Sequence, residues 1–287
     1  MSAIFERELK GYFRSVTGYI FTAFILLFAG IYTMVINLSN ALSQFEYVLS
    51  NMSFVFIIAI PVLTMRVIAE ERRQKTDQLL YALPMSMNKI VLGKYFAMLA
   101  VLAVPVVIMM LYPLLLSFFG PLNYKTCYAA LLGFFLLGAA LAAVGMFISS
   151  LTENQVIAAV ICVAVMLLSY FLTDLANYVP KSAAASFGAL LIAALALAMI
   201  FYLLTHNGII TVVIGVVLGA ADIVTYAVSP ATMEGLFPKI MQQLSVFDRF
   251  YTLVQGVFDV TALVYLLAVC VVFVYFTVQA MEKRRWS

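Results

Sequence analysis

FAMLAVLAVPVVIMMLYPLLLSFF, residues 96–119, runs its whole length without a charged side chain. A helix needs about 20 such residues to cross roughly 30 Å of hydrocarbon, and it satisfies its backbone hydrogen bonds within one segment while doing so. Comparable blocks recur at 17–37, 51–69, 128–149, 155–173, 187–205, 208–228 and 260–280. They are too long for the alternating strands of about ten residues that build an outer-membrane barrel. Across 287 residues, 66% are hydrophobic and 10% charged, with a mean hydropathy of +1.10. That leaves too little polar surface to cover a soluble globule. The fold class is therefore an all-α integral membrane protein, a polytopic helical bundle of about eight spans in a single domain, 1–287. Thr205, His206, Asn207 and Gly208 leave only a short break, so 187–228 reads as a tight helical hairpin.

Orientation follows from the basic residues. With the N-terminus in the cytoplasm, Arg7, Lys10, Arg14, Arg66, Arg72, Arg73, Lys75, Lys89, Lys94, Lys283, Arg284 and Arg285 fall inside, leaving Lys125, Lys181, Lys239 and Arg249 outside. Such an excess places both termini in the cytoplasm. No cleavable signal peptide is expected. Cys127, Cys162 and Cys270 have no paired or metal-like spacing and read as small hydrophobes. With no basic stripe interleaved with aromatics, nucleic acid is not an expected partner.

Three stretches outside the spans carry a pattern of their own. In residues 1–16, Ile4, Phe5, Leu9, Tyr12, Phe13 and Val16 recur at helical spacing against Glu6, Arg7, Lys10 and Arg14, the pattern of an interfacial elbow helix. In 229–259, Leu236, Phe237, Ile240, Met241 and Leu244 share a helical face, and Phe247, Phe250, Tyr251, Val254 and Phe258 extend it. Short outer, re-entrant helices punctuated by Pro230 and Pro238 are expected there. Residues 70–95 gather Glu70, Glu71, Arg72, Arg73, Lys75 and Asp77 into eight positions of an otherwise apolar chain. Thr76, Leu79, Leu80 and Leu83 follow at i, i+3, i+4 and i+7, so a short amphipathic helix is expected, ended by Pro84. Ser86 is then placed to cap the helix leading into the next span.

Catalytic chemistry finds no footing. His206 has no second ligand at metal spacing, so no metal site is expected. Gly93-Lys94 resembles the end of a phosphate loop, but Asn88 stands for the required glycine and Tyr95 for Ser or Thr. No G-x-S-x-G occurs. Asp222 is the one acid well inside a predicted span, where insertion costs roughly 2.5–3.5 kcal/mol. Two roles remain open for it, a hydrated structural position near the outer end or a place in a translocation path.

Three groups of residues resemble the permease subunit of an ABC-2 type ABC transporter, in particular the branch associated with bacterial gliding motility. IFERELKGYFRSVTGYIF is similar to that branch's elbow, F-x-R-E-x-x-x-Y-F-x-S-P-x-G-Y, with Val16 at the usual proline. The charged loop is similar to E-x-x-x-G-T-x-E-x-L-x-x-x-P followed by G-K, through Glu71, Thr76, Leu80, Pro84, Gly93 and Lys94, with Lys75 at the glycine. The C-terminal stretch matches through Phe247, Asp248, Arg249, Phe250, Gly256, Asp259, Tyr265, Glu282, Arg284, Arg285 and Trp286.

The resemblance implies a six-helix core with an inserted pair at 187–228. It also implies a multi-pass subunit of the bacterial cytoplasmic membrane that is not itself an enzyme and holds no cofactor. ATP and magnesium would belong to separate ABC ATP-binding subunits, beside a second permease or auxiliary membrane subunit and membrane lipids. Coupling would run through 70–95, with Leu79, Leu80 and Leu83 in a groove of the ATPase and Glu70, Glu71, Arg72, Thr76, Asp77 and Pro84 around them. Phe247, Asp248, Arg249 and Phe250 are outer-gate candidates, or else an interfacial anchor. The alternative function is an ATP-independent secondary transporter or a membrane scaffold.

Overall fold

The computed structural model describes residues 2–40, 42–76, 85–205, 208–228, 230–256 and 259–286. All regular structure among them is helical. The chain starts with α1 (Ser2–Arg14) and turns into α2 (Thr17–Tyr32), which a π-helical segment, Thr33–Leu38, prolongs. The second crossing is assembled from α3 (Glu46–Met52), a 3-10 turn (Ser53–Val55), α4 (Phe56–Thr64) and α5 (Ala69–Arg73). The third combines α6 (Met87–Met109) with α7 (Leu111–Leu116). Then come α8 (Tyr124–Leu151), α9 (Gln155–Tyr178), α10 (Ala183–Thr205), α11 (Gly208–Val228), α12 (Pro230–Met233), α13 (Leu236–Leu244), α14 (Val246–Val254) and α15 (Val260–Trp286).

Each of the eight apolar blocks falls within this helical framework. Among the described residues, seven crossings are long and apolar enough to span a bilayer; in α10 the apolar part so described is Ala183–Met199. The chain divides into two compact units, one of residues 1–168 and 249–287, the other of residues 169–248.

In the first unit α8 is the central helix. Its run of small residues, with Gly138, Ala139, Ala140, Ala142, Ala143 and Gly145 all buried, lets neighbours approach closely where lipid offers no hydrophobic drive for association. A Cβ at Gly138 would lie 2.8 Å from Leu102 Cδ2 of α6, and one at Gly145 only 2.4 Å from Thr64 Oγ1 of α4. Aromatic rings fill the space beyond this strip. Phe134 stacks on Phe56 at 4.3 Å, and Phe147 meets Phe273 and Phe276 of α15 at 5.8 Å.

The second unit is built on the antiparallel α10–α11 hairpin, where the Phe187 and Tyr226 rings lie 4.9 Å apart. The short helices expected after it are present. The Gly235 N–H donates to the Lys181 carbonyl at 2.9 Å, holding the turn between α12 and α13 on the start of the hairpin, and Gly235 takes a φ of 68°. The shared apolar face of α13 is not buried within the chain; Leu244 at its end is 58% exposed.

Candidate functional site

The second crossing breaks before it leaves the bundle. Pro61 lies inside α4, and the helix opens into a turn at Met65, Arg66, Val67 and Ile68 before α5 resumes. Backbone groups freed by such a break are expensive to bury unless other groups bond to them. Three side chains from three helices do so. Ser149 of α8 accepts from the Ile68 and Ala69 N–H groups at 3.3 and 3.1 Å and donates to the Met65 carbonyl at 3.3 Å. The Tyr12 hydroxyl of α1 donates to the Leu63 carbonyl at 3.1 Å. Lys94 of α6 donates to the Val67 carbonyl at 3.1 Å.

Lys94 also anchors a cluster of four charges. Its residue is 1% exposed, and its ammonium lies 2.8 Å from Glu71 Oε1 and 3.0 Å from Glu8 Oε1. Arg7 bridges the same two oxygens, with Nη2 at 2.5 Å from Glu8 and 3.1 Å from Glu71. The two cations thus share two carboxylates, and the cluster is neutral as a whole. With Glu71, Glu8 and Val67 as acceptors, all three N–H donors of the ammonium are used. A buried ion pair adds little net stability when complete, but removing one member costs roughly 3–5 kcal/mol.

One flank of the cluster is open. A cavity of about 760 Å3 is lined by Arg7, Glu8, Tyr12, Arg66, Glu70 and Glu71. Burial alone would raise the Glu8 pKa, but Lys94 and Arg7 outweigh it and hold the carboxyl below its ordinary range. Glu8 therefore stays ionised at neutral pH.

Of the residues expected around a partner, Glu71 pairs through Oε1 with Lys94 within the chain and Arg72 is buried, because the break turns α5 against the bundle. Glu70 accepts from Gln74 at 3.2 Å. After α5 the Thr76 N–H bonds to the Glu71 carbonyl at 2.9 Å and the Lys75 N–H to the Arg72 carbonyl at 3.1 Å. This reciprocal pair is a Schellman turn, whose penultimate residue is left-handed. Lys75 takes that place at φ 58°, where the resembled pattern has glycine. Asp77, Leu79, Leu80, Leu83 and Pro84 lie outside the described residues. Ser86 occupies the N-cap position of α6 with extended backbone, but its hydroxyl makes no capping bond.

The remaining candidates lie apart from this cluster in the sequence. Phe247 meets the Tyr170 ring at 5.2 Å in the second unit. The Asp248 N–H bonds to Ser245 Oγ at 3.2 Å, an N-cap that starts α14. Arg249 lies 5.6 Å from the centre of the Tyr265 ring, and Phe250 is fully buried against Phe134 at 6.1 Å, both in the first unit. Asp222 is 7% exposed, and its Oδ2 has no hydrogen-bond partner. His206 lies outside the described residues, and among those described no cluster suits a metal ion.

Two features escaped the sequence reading. Glu46 is buried at the start of the second crossing and accepts from the Cys127 thiol at 3.1 Å. The Arg7–Glu8–Glu71–Lys94 cluster was not foreseen as a unit, although its members stand in the elbow pattern and the loop pattern. An ionisable side chain such as Lys94, set against the apolar block that starts at Phe96, was the available signal.

A family model described as ABC-2 family transporter protein matches residues 2–285. No curated protein matches the chain.

Proposed function

The chain belongs to the ABC-2 family of transporter proteins, and from that premise we propose that it is the permease subunit of an ATP-driven transporter, coupled to separate ATPase subunits through residues 70–95. The observation that carries this reading is the construction at the base of that loop. Its departing helix α5 and its returning helix α6 are joined by the Glu71–Lys94 pair, and α1 is joined to both. A loop that only bathed in water would need no such base. The sixteen Lys and Arg residues, twelve of them on the side of this loop, support a cytoplasmic position for it and for both termini, in the bacterial cytoplasmic membrane. Hydrolysis of ATP, with its magnesium, would take place in the partner, and a second permease or auxiliary membrane subunit would complete the path. Membership of the gliding-motility-associated branch rests on the three resembled patterns.

The test is pull-down of the ATPase with Leu80→Asp. By sequence Leu80 belongs to an apolar face whose burial in a partner is worth roughly 1.5–3 kcal/mol per side chain. A carboxylate there should lower ATPase association at least about tenfold while leaving membrane insertion intact. Arg73→Gln, at an exposed position, serves as the control. Equal recovery with Leu80→Asp and the parent would refute docking through this loop.

A further inference from the structure

We propose that Lys94 is the positioning residue of this loop: its buried ammonium fastens α1 and both ends of the loop into one body, so that a push on the loop reaches α1 and α6 together. This inference rests on the coupling reading above. The chain leaves through α5 and returns through α6, with Glu71 on one side and Lys94 on the other. Their 2.8 Å pair closes the base of the loop. Glu8 brings in α1 at 3.0 Å, and the Val67 carbonyl brings in the break of the second crossing at 3.1 Å.

The donor count makes the link stiff. If α1 or α5 moved alone, the ammonium, whose side chain is 0% exposed in this arrangement, would lose an acceptor. Movement of the three segments as a unit keeps every bond. Arg7 cannot serve in this way, because its side chain is 53% exposed and water can take over its bonds. The Tyr12–Leu63 and Ser149 bonds hold the same break from α1 and α8, so side chains of three helices bond to the region of the turn at 65–68.

Two measurements test this. In the first, the chain in lipid nanodiscs carries spin labels at Lys10→Cys on α1 and Arg73→Cys on α5; the three native cysteines are buried. The parent should give one narrow distance distribution and Lys94→Gln a broad one, with Lys94→Arg close to the parent. Glu8→Gln, which keeps an acceptor in place, should broaden it in part and serves if Lys94→Gln fails to accumulate. An unchanged distribution in the variants overturns the inference whatever the partner does.

In the second, the complex with its co-purified ATPase carries Gln44→Cys at the opposite end of the bundle. The rate of thiol labelling is compared with and without a non-hydrolysable ATP analogue. Lys94→Gln and Glu8→Gln should retain the ATPase but lose about fivefold or more of the nucleotide-dependent change, the lower end of ordinary coupling energies. A purely structural role would lower yield without separating binding from response. If the variants retain both the ATPase and the full response, the inference fails. If the parent retains no ATPase, the coupling reading fails, and the distance measurement still decides whether Lys94 fastens α1 to α5.

Discussion

Replacing Gly145 by alanine adds one methyl group at the closest helix approach recorded among the glycines. That carbon would lie 2.4 Å from Thr64 Oγ1 and 2.9 Å from both Thr64 Cβ and Cγ2. Rotating Thr64 can relieve the first and third contacts, at the expense of its 3.0 Å bond to the Ile60 carbonyl. The Cβ contact cannot be relieved that way, so α4 and α8 must separate by a substantial fraction of an ångström. Overpacking of this kind costs about 1–3 kcal/mol. The better helix propensity of alanine returns roughly 0.5–1 kcal/mol. The net expectation is a destabilisation of up to about 2.5 kcal/mol, a drop of up to several degrees in the midpoint of heat-induced loss of monodisperse protein in detergent.

Gly30→Ala is the internal control. It makes the same chemical change in α2, where an added Cβ meets nothing within 4 Å, so only the propensity gain remains. The two variants should move the midpoint in opposite directions. Thr64→Ala added to Gly145→Ala should recover part of the loss, since it removes two of the three contacts. If Gly145→Ala and Gly30→Ala shift the midpoint alike, the close packing of α4 on α8 is refuted.

Topology can be read with an impermeant thiol reagent on intact cells: Gln44→Cys and Gln243→Cys, both exposed, should label, and the exposed Asn88→Cys should not. Ser245, in the same outer segment, is 1% exposed and would give a silent site; labelling of Asn88→Cys alone would invert the orientation. Lys75→Gly should stabilise the turn after α5 or leave it unchanged, since it relieves a left-handed strain of about 1–2 kcal/mol but orders a freer residue. Lys75→Val should destabilise it, and protease cleavage near residue 75 should rank the two variants in that order. Glu8 has its pKa lowered by Lys94 and Arg7 against the effect of burial, so its contribution is complete above the ordinary carboxylate value and is lost as pH falls through the lowered one. The mobility of a spin label at Gly11→Cys should therefore stay constant from about pH 7 to 5 and rise only in stronger acid; loosening within that range would contradict the pairing.

Hydropathy and block length alone specify an all-helical membrane protein, because roughly 30 Å of hydrocarbon leaves a chain few other ways to satisfy its backbone. The helix at Ser2–Arg14 and the short helices after residue 229 were legible for a similar reason, since each is a local departure from the apolar pattern. Other features depended on tertiary structure. That α8 is central could not be read from its composition, because alanines and glycines serve a lipid-facing helix as well as a buried one. The same limit hid the break at 65–68, whose bonds come from Tyr12, Lys94 and Ser149 on three other helices. Glu8, Glu71 and Lys94 are 63 and 23 residues apart along the chain, and charge patterning along a sequence cannot say which distant ions share a site. Desolvation and pairing depend on neighbours in space, so only the packed bundle decides that Lys94 is buried and that α1 and both ends of the loop meet on it.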